Sequence, residues 1–136
     1  MSAPRVLIVD DNAMNIAIAQ VVLLDEKFEV ETATDGLDAM RKVASFRPDL
    51  ILMDIQMPGM DGLEVTRHLK ADPATRHIRI VAFTAFAMRG DEAKMRAAGC
   101  DGYLSKPIDV KKFGAQVRAS LKAPTGDGIG PVGDIG

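Results

Sequence analysis

The chain has 136 residues, 47% of them apolar and 26% charged, with a formal net charge of −2. This length and composition are typical of one globular domain with its own core. The near-neutral charge provides no general field for nucleic acid or an anionic membrane, and no apolar stretch approaches the roughly 20 residues of a membrane helix. The single cysteine, Cys100, excludes an internal disulfide and a four-thiolate zinc site, so we expect a reducing, cytoplasmic setting.

Short apolar runs alternate with longer segments of helical periodicity along residues 1–122. Continuous apolar runs are typical of strands in a parallel sheet that is covered on both faces. The apolar runs lie at 6–9, 50–53, 80–83 and 103–104, with a weaker strand candidate at 28–32, and the helix candidates lie near 12–25, 36–46, 62–71, 87–97 and 109–122. Strict alternation of the two kinds of segment predicts a doubly wound α/β domain.

The last segment, residues 123–136, differs from the rest in composition. It holds five of the twelve glycines, and its charged residues are Asp127 and Asp134, with no base. We therefore predict a domain of residues 1–122 followed by a disordered tail or linker. The domain itself then carries equal numbers of acids and bases.

Polar residues follow the apolar runs at the predicted carboxyl edge of the sheet. Asp10 and Asp11 follow the first run, Asp54 the third, Thr84 the fourth and Lys106 the fifth. Open parallel sheets bind their ligands at this edge. We therefore expect these side chains to converge on one site.

Each of these residues also has an ordinary structural explanation. Asp10 and Asp11 could cap the next helix, Asp54 could form a turn, and Thr84 and Lys106 could be a strand end and a solvated cation. The combination favours chemistry, because neighbouring carboxylates repel one another unless a cation neutralises them. Carboxylate oxygens are the protein ligands that Mg²⁺ prefers.

A carboxylate held beside Mg²⁺ is a competent nucleophile toward an activated phosphoryl group. Lys106 and the Thr84 hydroxyl would each neutralise one phosphoryl oxygen, and Mg²⁺ would take the third. Because the chain has no P-loop motif, we expect the phosphoryl donor to be another protein.

Four motifs resemble those of response-regulator receiver domains. They are VLIVDDN at 6–12, DLILMDIQMPGMDG at 49–62, VAFTA at 81–85 and YLSKPI at 103–108. The resemblance runs from about residue 4 to 122 and is greatest to single-domain cell-cycle receivers and the receivers of hybrid kinases. It implies bacterial two-component signalling and a flavodoxin-like fold, with a five-stranded parallel sheet of order 2-1-3-4-5 and five helices.

The resemblance also implies roles for individual residues. Asp54 would be the phosphoacceptor, and a histidine kinase or histidine phosphotransfer protein would supply the phosphoryl group from phosphohistidine. Asp11 and Asp54 would ligate Mg²⁺ with the backbone carbonyl of Gln56, while Asp10 would act mainly through water. The chain would catalyse its own phosphorylation and at most a weak autodephosphorylation, without acting as an enzyme on a small substrate.

A switch follows from the same resemblance. Thr84 would move inward to contact the phosphoryl group, and Tyr103 would turn into the space it leaves, changing a surface that a downstream protein effector binds. Composition alone favours Tyr103 as an ordinary core aromatic. Lys106 would contact the phosphoryl group, and its bond to Pro107 would be cis.

The first helix carries more apolar surface than one buried stripe requires. It could make a second buried contact inside the domain. Alternatively, as the resemblance suggests, it could dock the donor through a patch of six residues. This docking patch comprises Met14, Asn15, Ile18, Val22, Pro107 and Ile108.

Two other functions remain as alternatives. A flavodoxin-like, Mg²⁺-dependent phosphatase could use Asp54 on a small molecule, although Asp54-Ile55-Gln56 lacks the second acid of a D-x-D motif. A degenerate receiver used only for binding would lack key residues, yet the five positions at the strand ends are all filled.

Overall fold

The structure, a computed structural model, describes residues 3–55, 62–84, 89–105 and 108–122, with only the backbone described at 89–92 and 122. Strands and helices alternate throughout these residues, as predicted. In chain order they are β1 (Arg5–Val9), α1 (Ala13–Asp25), β2 (Glu29–Ala33), α2 (Gly36–Phe46), β3 (Leu50–Asp54), α3 (Gly62–Ala71), β4 (Arg79–Thr84), α4 (Arg89–Ala98), β5 (Gly102–Ser105) and α5 (Phe113–Lys122).

The strands form one parallel sheet of order β2-β1-β3-β4-β5, which confirms the predicted doubly wound, flavodoxin-like fold. The strand β3 lies at its centre, between β1 and β4. All five residues of β3 are buried. The sheet therefore holds the last residue of β3, Asp54, between two neighbouring strands.

The sheet separates two cores, and successive strand residues face them alternately. The first core cluster lies toward α2, α3 and α4 and takes Leu7 and Val9 from β1. The second core cluster lies toward α1 and α5 and takes Val6 and Ile8. Because both faces are covered, most of β1, β3 and β4 is continuously apolar, which made these strands predictable from sequence, whereas the edge strand β2 alternates polar and apolar residues.

Gly99 directly follows the last residue of α4 and ends the helix. Its φ of +102° lies in the left-handed region, which glycine adopts without the steric cost of a Cβ. The backbone N–H of Cys100 then donates to the carbonyl of Met95 at 3.0 Å, closing the helix end. Cys100 is buried in the first core cluster.

The start of α5 differs from the prediction. The helix begins at Phe113, four residues later than expected, because the Asp109 carboxylate accepts the Lys111 N–H and holds residues 110–112 in a turn. The spacing of Val110, Phe113, Val117 and Leu121 predicts one apolar stripe on this helix. Phe113 and Val117 are buried as this spacing predicts, whereas Val110 is 58% exposed.

No helix in the parts of the chain that the structure describes has the length and apolar character needed to cross a membrane. Residues 123–136 lie outside those parts. The domain boundary at residue 122 therefore stays a prediction.

Burial makes Cys100 a poor nucleophile, and this can be tested. Desolvation raises the pKa of the Cys100 thiol to about 11 from 9.0. The thiol is then almost entirely protonated near pH 8, whereas the thiolate is the reactive form. We expect Ellman's reagent at pH 8 to label the native protein very slowly and to label one thiol promptly in guanidinium chloride. Rapid labelling of the native protein would contradict this packing.

Candidate functional site

Three carboxylates meet at the carboxyl edge of the sheet, as predicted. Asp10 and Asp11 follow β1, and Asp54 ends the adjacent strand β3. Each offers an oxygen, and these oxygens all lie within 4.8 Å of one another. Three negative charges at this separation repel strongly, and a divalent cation among them would remove the repulsion.

Asp10 and Asp11 do not cap α1, so the ordinary explanation for this acidic pair is wrong. The cap is Asn12, whose side-chain oxygen accepts the N–H groups of Met14 and Asn15 at 2.9 and 3.1 Å. Asp10 instead accepts the Asn12 N–H at 2.8 Å through Oδ1. The Asn15 amide approaches its other oxygen at 3.5 Å.

The acids differ in exposure, which suits them to different roles. Asp10 is completely buried and Asp54 is 4% exposed, whereas Asp11 is exposed. A buried carboxylate needs compensating partners, and Asp10 has the Asn12 N–H. Asp11 provides the side of the cluster that is open to solvent.

The backbone of Asp54 is held in place by a glycine. A Cβ built on Gly62, the first residue of α3, would lie 2.2 Å from the Asp54 carbonyl oxygen and 2.9 Å from the Ile55 Cα. Only glycine allows this approach of helix and strand. No local sequence pattern marks Gly62 as a site residue, because the contact depends on how α3 packs against β3.

Thr84 lies on β4, which adjoins β3, and Tyr103 lies on β5, the next strand out. Thr84 is buried at the end of β4 and is paired in register with Ser105 of β5. Tyr103 is half-buried, pairs with Ala82 and packs against the first core cluster. The predicted site residues Gln56, Lys106 and Pro107 lie outside the described residues.

The predicted docking patch is divided in the structure. Met14 and Ile18 are exposed, at 71% and 37%, while Asn15 is half-buried beside Asp10. Val22 and Ile108 are also half-buried and pack against the second core cluster. Val22 therefore fits a second buried contact inside the domain, whereas the exposed Met14 and Ile18 fit a docking surface.

Comparison with known families supplies the decisive observation. The family model described as "Response regulator receiver domain" matches residues 6–118, which span both core clusters and all three carboxylates. The chain belongs to the response regulator receiver family.

Individual receivers are similar along nearly their whole length. The polar-differentiation response regulator DivK of Brucella anthropi is 45% identical over 116 residues, covering 85% of this chain and 94% of that protein. DivK of Brucella ovis is 44% identical over the same length. The chemotaxis response regulator CheY4 of Vibrio cholerae superimposes with a TM-score of 0.82 at 28% identity, covering 88% of this chain and 99% of that one.

Membership of the receiver family explains both the fold and the acidic cluster. A receiver domain is the signalling input of a response regulator in two-component systems, and its acidic pocket is a magnesium-binding site. The donor set here, three carboxylates at close range, fits a hard divalent cation of this kind. This receiver presents that pocket at the carboxyl ends of two adjacent central strands.

Gly62→Ala tests the contact between α3 and β3 in this receiver. The added methyl group collides with backbone atoms, which cannot rotate away, so we expect a loss of about 1–3 kcal/mol in the free energy of unfolding. Urea denaturation measures this free energy of unfolding.

Gly114→Ala is the matched control. Gly114 is the second residue of α5, and its added Cβ would meet the flexible Glu26 side chain. The same gain in helix propensity applies to both variants, so Gly114→Ala should lose less stability. Equal stability of the two variants would count against a rigid contact at Gly62.

Proposed function

We propose that this receiver accepts a phosphoryl group on Asp54 from a phosphohistidine of a partner protein, in a reaction that requires Mg²⁺. The observation that carries the proposal is the convergence of three carboxylate oxygens within 4.8 Å at the end of the central strands. Asp54 is nearly buried there and Thr84 lies at the end of the adjacent strand. These are the parts that phosphoryl transfer to a carboxylate requires.

Asp54 is the acid best placed to act as the nucleophile. A carboxylate oxygen of Asp54 attacks phosphorus, the bond from phosphorus to the donor imidazole nitrogen breaks, and an acyl phosphate forms. Asp10 is fully buried and has its Oδ1 occupied by the Asn12 N–H. Asp11 is exposed and is better suited to binding a hydrated cation.

Asp10, Asp11 and Asp54 would hold Mg²⁺, together with the backbone carbonyl of Gln56. When bound, this ion offsets the negative charge that an incoming phosphoryl group would otherwise meet. Asp10 would contribute mainly through water. The Asn12 N–H and the Asn15 amide orient the Asp10 carboxylate for this role.

Lys106 and Thr84 would neutralise two of the phosphoryl oxygens. Ser105, the residue before Lys106 in the sequence, is paired with Thr84 in the sheet. Inward movement of Thr84 would vacate space that the Tyr103 ring enters. Tyr103 is only half-buried, which leaves its ring partly outside the core it contacts.

The partners follow from the chemistry. A histidine kinase or a histidine phosphotransfer protein supplies the phosphoryl group, and a downstream protein effector binds the switched surface. The phosphatase alternative is not favoured, because Asp54-Ile55-Gln56 lacks a second acid and the chain belongs to a signalling family. The only reactions of the chain itself are then its own phosphorylation and a weak autodephosphorylation.

Docking of the donor is assigned to the exposed apolar residues of α1. Met14 and Ile18 are exposed on a helix that has no charged residue between Asn12 and Leu24. Helical bundles present apolar faces that such a surface can cover. Pro107 and Ile108 would complete the patch beside the phosphoryl site.

Phosphorylation by acetyl phosphate tests the central step. We expect the wild type to gain a phosphoryl group with Mg²⁺ present, and Asp54→Asn to gain none, because an amide is not a competent nucleophile. Intact mass spectrometry measures the gain, and treatment with base should remove it. A wild type that stays unmodified, or an Asn variant modified equally, would defeat the proposal.

Ile18→Lys tests the docking surface. Transfer from a phosphorylated histidine phosphotransfer protein should slow about tenfold or more, because a charge is placed on an apolar contact. Modification by acetyl phosphate should be unchanged, since that donor needs no docking. Leu37→Lys, which makes the same kind of change at an exposed position on α2, is the control and should transfer at the wild-type rate. Equal rates for all three proteins would remove α1 from the interface.

A further inference from the structure

A second candidate site lies beside the amino ends of β3 and β4, whereas Asp54 lies at the carboxyl end of β3. A cleft of about 510 Å³ is lined by the end of α2, the segment that leads into β3, and the segment between α3 and β4. Its volume falls within the range of small-molecule sites. The length of β3 separates it from the acidic cluster, so the proposed phosphoryl chemistry does not use it.

The floor of the cleft is apolar, and its mouth carries polar and charged side chains. Val43, Pro48 and Ile78 are buried beneath it. Arg47 and His77 lie at the mouth, where both are exposed. Neither side chain has a hydrogen-bond or ion-pair partner among the residues that the structure describes, which leaves both available to a ligand.

Arg47 occupies its position at a conformational cost. Its φ is +53°, in the left-handed region that glycine adopts freely at the end of a helix. An arginine held in this conformation places a guanidinium where the fold alone would favour glycine.

Hydrogen bonds hold both walls of the cleft in place. On one side, the Thr75 hydroxyl donates to the Leu69 carbonyl at 2.6 Å, and the Lys70 ammonium donates to the Ile78 carbonyl at 2.8 Å. On the other, Arg5 donates to the Phe46 carbonyl at 3.0 Å. A preformed cleft binds a ligand without the cost of ordering its walls.

The acid in the lining is Asp72, and one of its oxygens is engaged. Its Oδ1 accepts the Ala74 N–H at 2.9 Å. The hydrogen of the Thr75 hydroxyl is committed to Leu69, so this hydroxyl can only accept from a ligand. Arg47 is therefore the charged side chain of the lining with no bond to another described residue, and its guanidinium can take an anion to which the His77 imidazole can also donate a hydrogen bond.

We propose that this cleft binds a soluble organic anion, with its carboxylate or phosphate group on Arg47 and His77 and its apolar body over Val43, Pro48 and Ile78. Arginine recognises both head groups through paired hydrogen bonds. Burial of the apolar body provides the remaining affinity. This binding does not depend on the proposed function of Asp54.

Octanoate is a suitable probe, followed by amide chemical shifts in ¹⁵N-labelled protein. We expect saturable shifts centred on residues 43–48 and 72–78. Acetate has the charge without the apolar body, and octanol has the body without the charge, so both should bind at least about tenfold more weakly. Equal affinity for octanoate and octanol, or shifts centred elsewhere, would overturn the proposal.

Arg47→Gly separates binding from folding. It removes the guanidinium while relieving the left-handed backbone, so the midpoint of thermal unfolding should stay the same or rise. We expect octanoate affinity to fall about tenfold or more. An unchanged affinity would refute the assignment to Arg47.

Lys27→Gly is the matched control. Lys27 is also a cation at positive φ, 72°, and it follows α1 outside this cleft. Its variant should bind octanoate as the wild type does. A loss of affinity equal to that of Arg47→Gly would mean that only general charge attracts the probe. Asp54→Asn should leave octanoate binding unchanged, which distinguishes failure at this cleft from failure at the phosphoryl site.

Discussion

Repulsion among three carboxylates is the constraint on which the arrangement of this receiver depends. Their oxygens lie within 4.8 Å of one another, and two of the three acids are buried. Burial in a protein interior strengthens the repulsion, because fewer water dipoles screen it. The fold opposes the repulsion by fixing the acids at the ends of two adjacent parallel strands, which are held by backbone hydrogen bonds and covered by two cores. A cation bound among the three carboxylates would offset this repulsion.

Much of this arrangement was predictable because the sheet is buried on both faces. The strands β1 and β3 are continuously apolar over residues 6–9 and 50–53, so the sequence marks where each of them reaches the carboxyl edge of the sheet. The sequence thereby predicts that Asp10, Asp11 and Asp54 meet at this edge, and their oxygens do lie close together there. Similar reasoning failed at Val110, which has the right spacing for the α5 stripe but lies in the turn that Asp109 stabilises.

Other features depend on tertiary contacts that no local pattern records. Aspartate and asparagine both cap helices well, so the sequence alone could not distinguish Asn12 from the acids before it. The need for glycine at position 62 depends on the distance between α3 and β3. The cleft at Arg47 is assembled from two segments about 30 residues apart in the sequence, and neither contains a motif.

The contact at Gly62 also has a consequence for signal transmission. The Asp54 backbone is held between two strands, and the start of α3 lies directly against its carbonyl. This end of β3 can therefore move little when the charge on its side chain changes. A rigid anchor forces any response to appear in neighbouring segments, and the β4 to β5 side, where Thr84 and Tyr103 lie, has no such glycine contact among the residues described. Gly62 would thus set the direction in which the domain responds.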